Sequence, residues 1–401
     1  MTQPTSPSVQ TGLDRLVDDK FSMLRGQRVA LLANPIAVDR HLKHLLDRCL
    51  EAEVNLVRLF GPEHGLLGDA QDMAHVDGHK DKRTGLDVVS LYGDEYESLH
   101  MNPDDLDGVD VLVCDLQDIG SRYYTFSYTI AFALRACAKA GVKAVVLDRP
   151  NPIGGHVVEG NLVQDAFKSF VGEYPLPNRH GMTMGELCRF FIAHDGIDVD
   201  LEVVAMTGYR RNMHFGDTGL PWVMPSPNMP TVDTALVYPG GCLFEGTNMS
   251  EGRGTTRPFE LLGAPYIDDP DAFCRRAEAQ GLGDGVTLRP CFFRPTFQKH
   301  GGTLCGGLQI HVTDPRVVDA MRLNVAILTA ARSFAGFDWR RDTYEFVSDR
   351  LAIDLLFGTD QARILLEKDA SADDVLGLLD QDRARALEQR APHLDANYAA
   401  G

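Results

Sequence analysis

A chain of 401 residues, 44% hydrophobic and 24% charged, has the composition of a folded protein of two to three domains at roughly 150 residues each, which excludes a mostly disordered chain or a fibrous repeat. Its 39 Lys and Arg against 57 Asp and Glu leave a formal net charge of −18, which repels phosphate backbones and anionic headgroups and argues against nucleic-acid and membrane partners. No apolar run reaches the roughly 18 residues of a membrane span, and the first residues lack the basic and apolar regions of a secretory signal, so a cytoplasmic location is expected.

Along the first half, short β-rich runs alternate with helical stretches. Val29–Ala33, Val54–Phe60, Val88–Leu91, Val109–Cys114, Val142–Leu147 and Leu201–Ala205 read as strands, several too continuously apolar to have a wet face. Between them, His41–Ala52 and Thr125–Ala140 read as helices, the second stopping before Gly141, where a capping glycine belongs. This alternation predicts an α/β doubly wound domain with a parallel sheet. The Pro-rich stretch Leu220–Pro230 interrupts it and marks the expected boundary between domains 1–230 and 231–401. Beyond it we expect a smaller α+β domain: a glycine-rich loop over Gly240–Gly254, a helix at Pro270–Ala279, a strand at Gly307–Val312, and helices around Val317–Phe334 and Leu351–Phe357. The tail after Ala370 reads as helical, charged and peripheral. Eight scattered cysteines without a C-x-x-C pair read as small buried hydrophobes rather than a disulfide framework.

In open parallel sheets, ligands bind beyond the carboxyl ends of the strands. Four strand ends here run into polar strings: Asn34-Pro35, Gly61-Pro62-Glu63-His64-Gly65, Asp115 through Tyr124, and Asp148-Arg149-Pro150-Asn151-Pro152. Turn chemistry explains Asn, Asp, Pro and Gly, but does not demand Glu, His, Gln, Arg and two adjacent Tyr, so a site is expected at this edge. The first strand is followed by Asn34-Pro35-Ile36-Ala37 with no glycine, which disfavours dinucleotide binding; Gly281-Leu282-Gly283-Asp284-Gly285 lies far downstream. Walker A and nucleophile-elbow strings are absent. His75 and His79, with His64 nearby, have a possible ligand spacing, but Asp77 and Gly78 break any helix between them, and we read loop histidines rather than a metal site. Carboxylates remain. Glu63 follows a buried strand directly, and the segment Glu245–Arg257 packs Glu245, Glu251, Arg253 and Arg257 among glycines. Such a loop facing a carboxylate-bearing sheet edge suits a polyhydroxylated ligand, and two acids across a cleft are what glycoside hydrolysis requires. Tyr123, Tyr124 and Trp222 offer apolar walls for sugar rings, though aromatics are more often plain core.

Five strings carry a resemblance: G-P-E-H-G (61–65), D-L-Q-D-I-G-S-R-Y-Y-T-F (115–126), D-R-P-N-P-I-G-G (148–155), P-S-P-N-M-P (225–230) and E-G-T-N-M-S-E-G-R-G-T-T-R-P-F-E (245–260). The sequence resembles the NamZ-type exo-β-N-acetylmuramidases, formerly the DUF1343 family and now glycoside hydrolase family 171, over roughly residues 11 to 370. The resemblance implies a Rossmann-like N-terminal domain, a smaller C-terminal domain, and a cleft between them needing no nucleotide or metal cofactor. It implies release of terminal N-acetylmuramic acid from the non-reducing ends of peptidoglycan fragments in cell-wall turnover. The glutamate of P-E-H-G, Glu63, is then the expected catalytic acid, with Glu245 or Glu251 as its partner. Polar and aromatic groups of the matched strings become the expected substrate contacts: Asn34, His64, Asp118, Arg122, Tyr123, Tyr124, Arg149, Asn151, Asn228, Asn248, Arg253 and Arg257. The substrate's lactyl ether carries a carboxylate that a guanidinium fork would grip, with Arg253 and Arg257 the first candidates and Arg122 and Arg149 behind them. Two other classes share these features: a non-catalytic muropeptide-binding protein and a metal-dependent hydrolase. Members acting on the wall are typically exported, whereas no export signal is visible here, and the tail Leu387–Gly401 is unlike the family's usual aromatic ending.

Overall fold

The computed structural model describes residues 9–63, 65–66, 79–93 and 95–399. Among these described residues, ten strands form two sheets. The larger holds β1 (Val29–Ala33), β2 (Leu56–Gly61), β3 (His79–Lys80), β4 (Asp87–Ser90), β5 (Val111–Asp115), β6 (Lys143–Leu147) and β7 (Leu201–Val204) in the order β3-β4-β2-β1-β5-β6-β7. All pairs are parallel except β3–β4 at one edge. The chain winds outward from β1 in one direction and from β5 in the other, so the order reverses between them.

The central strands have no wet face, as their composition predicts: every residue of β1 and β5 is buried. Their two-residue period divides them between two cores. Ala30, Leu32, Leu112, Cys114, Ala144 and Val146 join a core with the helix Phe126–Ala140. Val29, Leu31, Val111, Val113, Val145 and Leu147 join another with Leu13 and Leu16 of the helix Gly12–Asp18 and with Leu45, Leu46 and Cys49 of the helix Leu45–Glu51. The expected α/β doubly wound sheet is the observed one.

The smaller sheet is antiparallel, with β8 (Leu261–Ala264), β9 (Val286–Phe293) and β10 (Cys305–Val312) in the order β8-β10-β9. β9 escaped the sequence analysis because it is an edge strand with Leu288 as its one buried residue and Pro290 inside it, a residue a sheet accepts only at its edge. The first core runs without a break from the helix Phe126–Ala140 into this layer, through Tyr123, Tyr238, Leu243, Ile353 and Leu356.

Two expectations are corrected. The stretch Gly240–Gly254 is not one loop: the helix Val232–Gly241 and a 3-10 turn, Cys242–Gly246, occupy its first half. A Cβ on Gly240 would meet the Ala320 carbonyl oxygen at 2.2 Å, and one on Gly246 would meet Ile353 at 2.7 Å, so these glycines let backbone approach backbone rather than a ligand. Nor is the tail peripheral. Arg390 donates from Nη1 to the carbonyls of Gly155, His180 and Gly181 at 3.1, 3.2 and 2.9 Å. The buried Tyr398 hydroxyl donates to Asp148 Oδ2 at 2.8 Å, just beyond β6, and accepts from the Met206 amide at 2.8 Å.

Asp148 is buried, and burial pushes its carboxyl from the ordinary 3.8 up to about 6 even though Gly185, Tyr398 and Thr183 all donate to it. A folded-state value above the unfolded one means the native state holds the proton more tightly, so this stabilising contribution is complete below pH 4 and lost as pH rises through 6. Asp148→Asn has nothing to titrate. Its stability relative to wild type should therefore shift in the variant's favour by on the order of 2–3 kcal/mol between pH 4 and pH 7, read as urea midpoints at the two pH values.

Candidate active site

The site begins where β2 ends. Gly61-Pro62-Glu63 turns back sharply enough that a Cβ on Gly61 would meet the Leu66 amide at 2.7 Å, and this holds Glu63 at the sheet edge, 7% exposed. Thr125, the residue before the helix Phe126–Ala140, donates its hydroxyl to Glu63 Oε2 at 2.7 Å. The loop leaving β5 folds back with the Tyr124 amide bonded to the Ser121 carbonyl, bringing Tyr123 and Tyr124 beside Glu63. Tyr124 stands edge-on to Phe126 and Tyr238, and Tyr238 edge-on to Phe259, an aromatic wall shared by both layers.

The facing wall is charged. Glu245 Oε1 accepts from Arg253 Nη2 at 2.7 Å, and its Oε2 from the Tyr344 hydroxyl at 2.7 Å. Burial alone would push this carboxyl up, but Arg253, Tyr344 and Lys299 outweigh it and hold Glu245 below the usual carboxylate range. The Arg253 guanidinium lies 5.2 Å over the Phe259 ring, with its Nε 3.5 Å from Glu251 Oε1. Lys299 closes the cluster, donating to Glu251 Oε2 at 2.9 Å and to the Phe244 carbonyl at 2.8 Å. A third wall is the Pro-rich segment, where Ser226, Asn228 and Met229 face the cavity. It is fixed from behind by Asn34 Nδ2, 3.4 Å from the Pro225 carbonyl, and by Trp222 Nε1, 3.3 Å from the Met229 carbonyl. The fourth is a tight hairpin in which Tyr344 and Val347 exchange both backbone hydrogen bonds and the residues between them, Glu345 and Phe346, have φ of 45° and 66°. Glu345 lines the cavity and is 6% exposed.

Of the residues expected at the site, Glu63, Tyr123, Tyr124, Asn228, Glu245 and Arg253 line this one cavity. Others are drawn away from it. Arg122 is fully buried and donates to the carbonyls of Asn161, Leu176 and Leu356, a tie between the two layers rather than a substrate contact. Arg149 makes a two-pronged bond to Asp115 at 2.5 and 2.7 Å and lines a neighbouring pocket with Gln117 and Trp222. Arg257 is half-exposed and paired with Glu260. Glu251 sits behind Arg253, outside the cavity lining. Asn34 supports a wall without lining it. Asp118 accepts from the Gly120 amide and faces His180 Nε2 at 3.2 Å, while Asn151 bonds the Met182 carbonyl and the Ile153 amide. Asn248 is spent on the Gly336 carbonyl and the Tyr266 hydroxyl. His64 and His75 lie outside the described residues; His79 is in β3.

Sequence reasoning missed Thr125, Ser226, Tyr238, Phe259, Tyr344 and Glu345 as lining residues, and Lys299 behind them. Thr125 and Ser226 belong to strings already singled out. Tyr344 and Glu345 carried no sequence signal, since tertiary packing sets the backbone of their turn.

Comparison with known proteins follows this division of the walls. The model of the NamZ N-terminal region matches residues 29–233, and that of the NamZ C-terminal region matches residues 236–394. The peptidoglycan beta-N-acetylmuramidase NamZ of Bacillus subtilis (strain 168) is 42% identical over 390 residues, 97% of this chain and 91% of that protein. A DUF1343 family protein from Bacteroides fragilis NCTC 9343 superimposes with a TM-score of 0.86 at 31% identity, covering 97% of this chain and 99% of the other. A second from the same organism does so at 0.75 and 29%, covering 98% and 99%. With both halves matched, and with Glu63 and Glu245 contributed to one cavity from the two of them, the chain belongs to the exo-β-N-acetylmuramidase NamZ family.

Proposed function

We propose that this protein is an exo-acting glycosidase that releases terminal β-1,4-linked N-acetylmuramic acid from the non-reducing ends of peptidoglycan fragments, during cell-wall turnover and recycling. The observation that carries this reading is one small cavity lined both by a carboxyl touched by a hydroxyl, Glu63, and by a carboxylate held ionised by a guanidinium, Glu245. Two carboxyl groups in unlike environments are the means by which glycosidases divide acid from base.

In this reading Glu63 is the general acid. As the bond between the anomeric carbon and the glycosidic oxygen breaks, its electron pair passes to that oxygen, which takes the Glu63 proton. Thr125 fixes the orientation of the acid through Oε2. Arg253, the arginine among the described lining residues, is the group for the lactyl carboxylate, and Glu245 and Glu251 position it. Tyr123, Tyr124 and Asn228 supply ring and hydroxyl contacts. A cytoplasmic location fits all eight cysteines being free. Among the described residues, no helix is long and apolar enough to cross a membrane.

Incubation with the β-1,4-linked disaccharide MurNAc-GlcNAc should give the two monosaccharides, identified by mass, at a rate unchanged by EDTA. Binding without cleavage would make this a muropeptide-binding protein. Loss of activity in EDTA with recovery in zinc would make it a metal-dependent hydrolase.

A further inference from the structure

The loop between β9 and β10, residues 294–304, is bent to deliver one side chain. Gln298 and His300, on either side of Lys299, have φ of 61° and 59°, where a side chain crowds its own backbone. Bonds to the segment that carries Arg253 hold the loop in that shape. The Thr296 amide and hydroxyl donate to the Gly254 carbonyl at 2.9 and 2.8 Å, and His300 donates from Nε2 to the Asn248 carbonyl at 2.6 Å. Backbone held against its preference gathers at functional sites. Here it places Lys299 Nζ 2.9 Å from Glu251 Oε2 and 2.8 and 3.3 Å from the carbonyl oxygens of Phe244 and Glu245. An ammonium has three hydrogens, and these three acceptors use them. Lys299 also stands outside the cavity lining, so it neither moves a proton nor grips substrate.

Resting on the glycosidase reading above, we propose that Lys299 is a positioning residue for recognition of the lactyl carboxylate: it neutralises Glu251, so that Arg253 keeps its fork on Glu245 and the cavity. Arg253 stands between two buried carboxylates, its Nη2 2.7 Å from Glu245 Oε1 and its Nε 3.5 Å from Glu251 Oε1. With Lys299 present the charges of this cluster sum to zero, and the closer contact goes to Glu245, which lines the cavity. Without Lys299, Glu251 is a buried charge whose remaining counter-charge in the cluster is Arg253, and the cost of leaving it unpaired draws the guanidinium back. The substrate's carboxylate then meets a fork already claimed. The carbonyl bonds aim the ammonium. The Phe244 carbonyl also accepts from the amide and hydroxyl of Thr247, so loss of Lys299 does not orphan it.

The test assays Lys299→Met, the double variant Lys299→Met with Glu251→Gln, and Arg253→Lys on a nitrophenyl MurNAc glycoside, with kcat and KM separated. Lys299→Met should raise KM about tenfold or more and keep kcat within about threefold of wild type, because a grip on the substrate is lost and the reacting groups are untouched. The double variant removes the stranded charge together with the lysine, and should return KM to within about threefold of wild type. A side chain that only held the loop would give no such rescue, since the second substitution restores none of its bonds. An unchanged KM in Lys299→Met, or a double variant that does not fold or keeps the raised KM, would overturn the proposal. If Lys299→Met alone does not fold, a folded double variant with the wild-type KM upholds it. Arg253→Lys tells this failure from that of the reading beneath it. An unchanged KM in Arg253→Lys overturns the lactyl role of Arg253, and no cleavage by wild type overturns the glycosidase itself. A raised KM in Arg253→Lys beside an unchanged one in Lys299→Met overturns Lys299 alone.

Discussion

Glu63→Gln should lower turnover of MurNAc-GlcNAc by at least ~10²-fold while leaving the fold intact. The magnitude follows from what a positioned acid contributes, roughly 10²–10⁴-fold. The intact fold follows from the surroundings: Thr125 donates to Oε2, a bond an amide oxygen also accepts, and no ion pair is broken among the described residues. The leaving group sharpens the prediction. A sugar hydroxyl departs only with a proton, whereas a nitrophenolate leaves unaided, so the variant should recover much of its rate on a nitrophenyl MurNAc glycoside. Near wild-type turnover of the disaccharide would remove Glu63 from the chemistry and leave Glu245 and Glu345 as the cavity carboxyls to examine.

The second large effect concerns selection between sugars. Arg253→Lys should cut the preference for MurNAc over GlcNAc glycosides by tenfold to a hundredfold, measured as the ratio of kcat/KM for nitrophenyl glycosides of the two sugars. A charge-assisted bond is worth about 1.5–3 kcal/mol, and lysine keeps the charge but loses the planar fork that matches a carboxylate. Lysine is the informative replacement. Alanine would leave Glu245 with its main counter-charge removed in a buried site, and the loss of one partner of a buried pair costs about 3–5 kcal/mol, enough to confound activity with folding. Equal losses on both sugars would show that Arg253 does not read the lactyl group.

The sheet was legible because its strands are buried on both faces: runs such as Val-Ala-Leu-Leu-Ala and Val-Leu-Val-Cys have no other home. Their carboxyl ends, and Glu63 with them, followed from the winding rule. The arginines were harder, because the group an arginine meets is set by tertiary neighbours. Arg149 and Asp115 sit at the ends of β6 and β5, adjacent strands, so their pairing becomes legible only once strand order is known. Arg122 offers no such clue, since two of its three acceptors, the Asn161 and Leu176 carbonyls, are in loops and the third, that of Leu356, is 234 residues away. Glu345 was invisible for a further reason. Its turn is imposed against local preference, so propensity pointed away from a residue that lines the cavity.

The bond between Tyr398 and Asp148 spans 250 residues, and that from Arg390 to Gly155 spans 235. During synthesis, at roughly 5–20 residues per second, some 12–50 s separate the emergence of Asp148 from that of the hydroxyl that meets it. Once β7 has followed, the parallel sheet has every strand it needs and still lacks the segment that covers one end of β6. The first-made half of the molecule is therefore the last to be finished, and the nascent chain spends its synthesis with a slow, non-local closure still ahead of it.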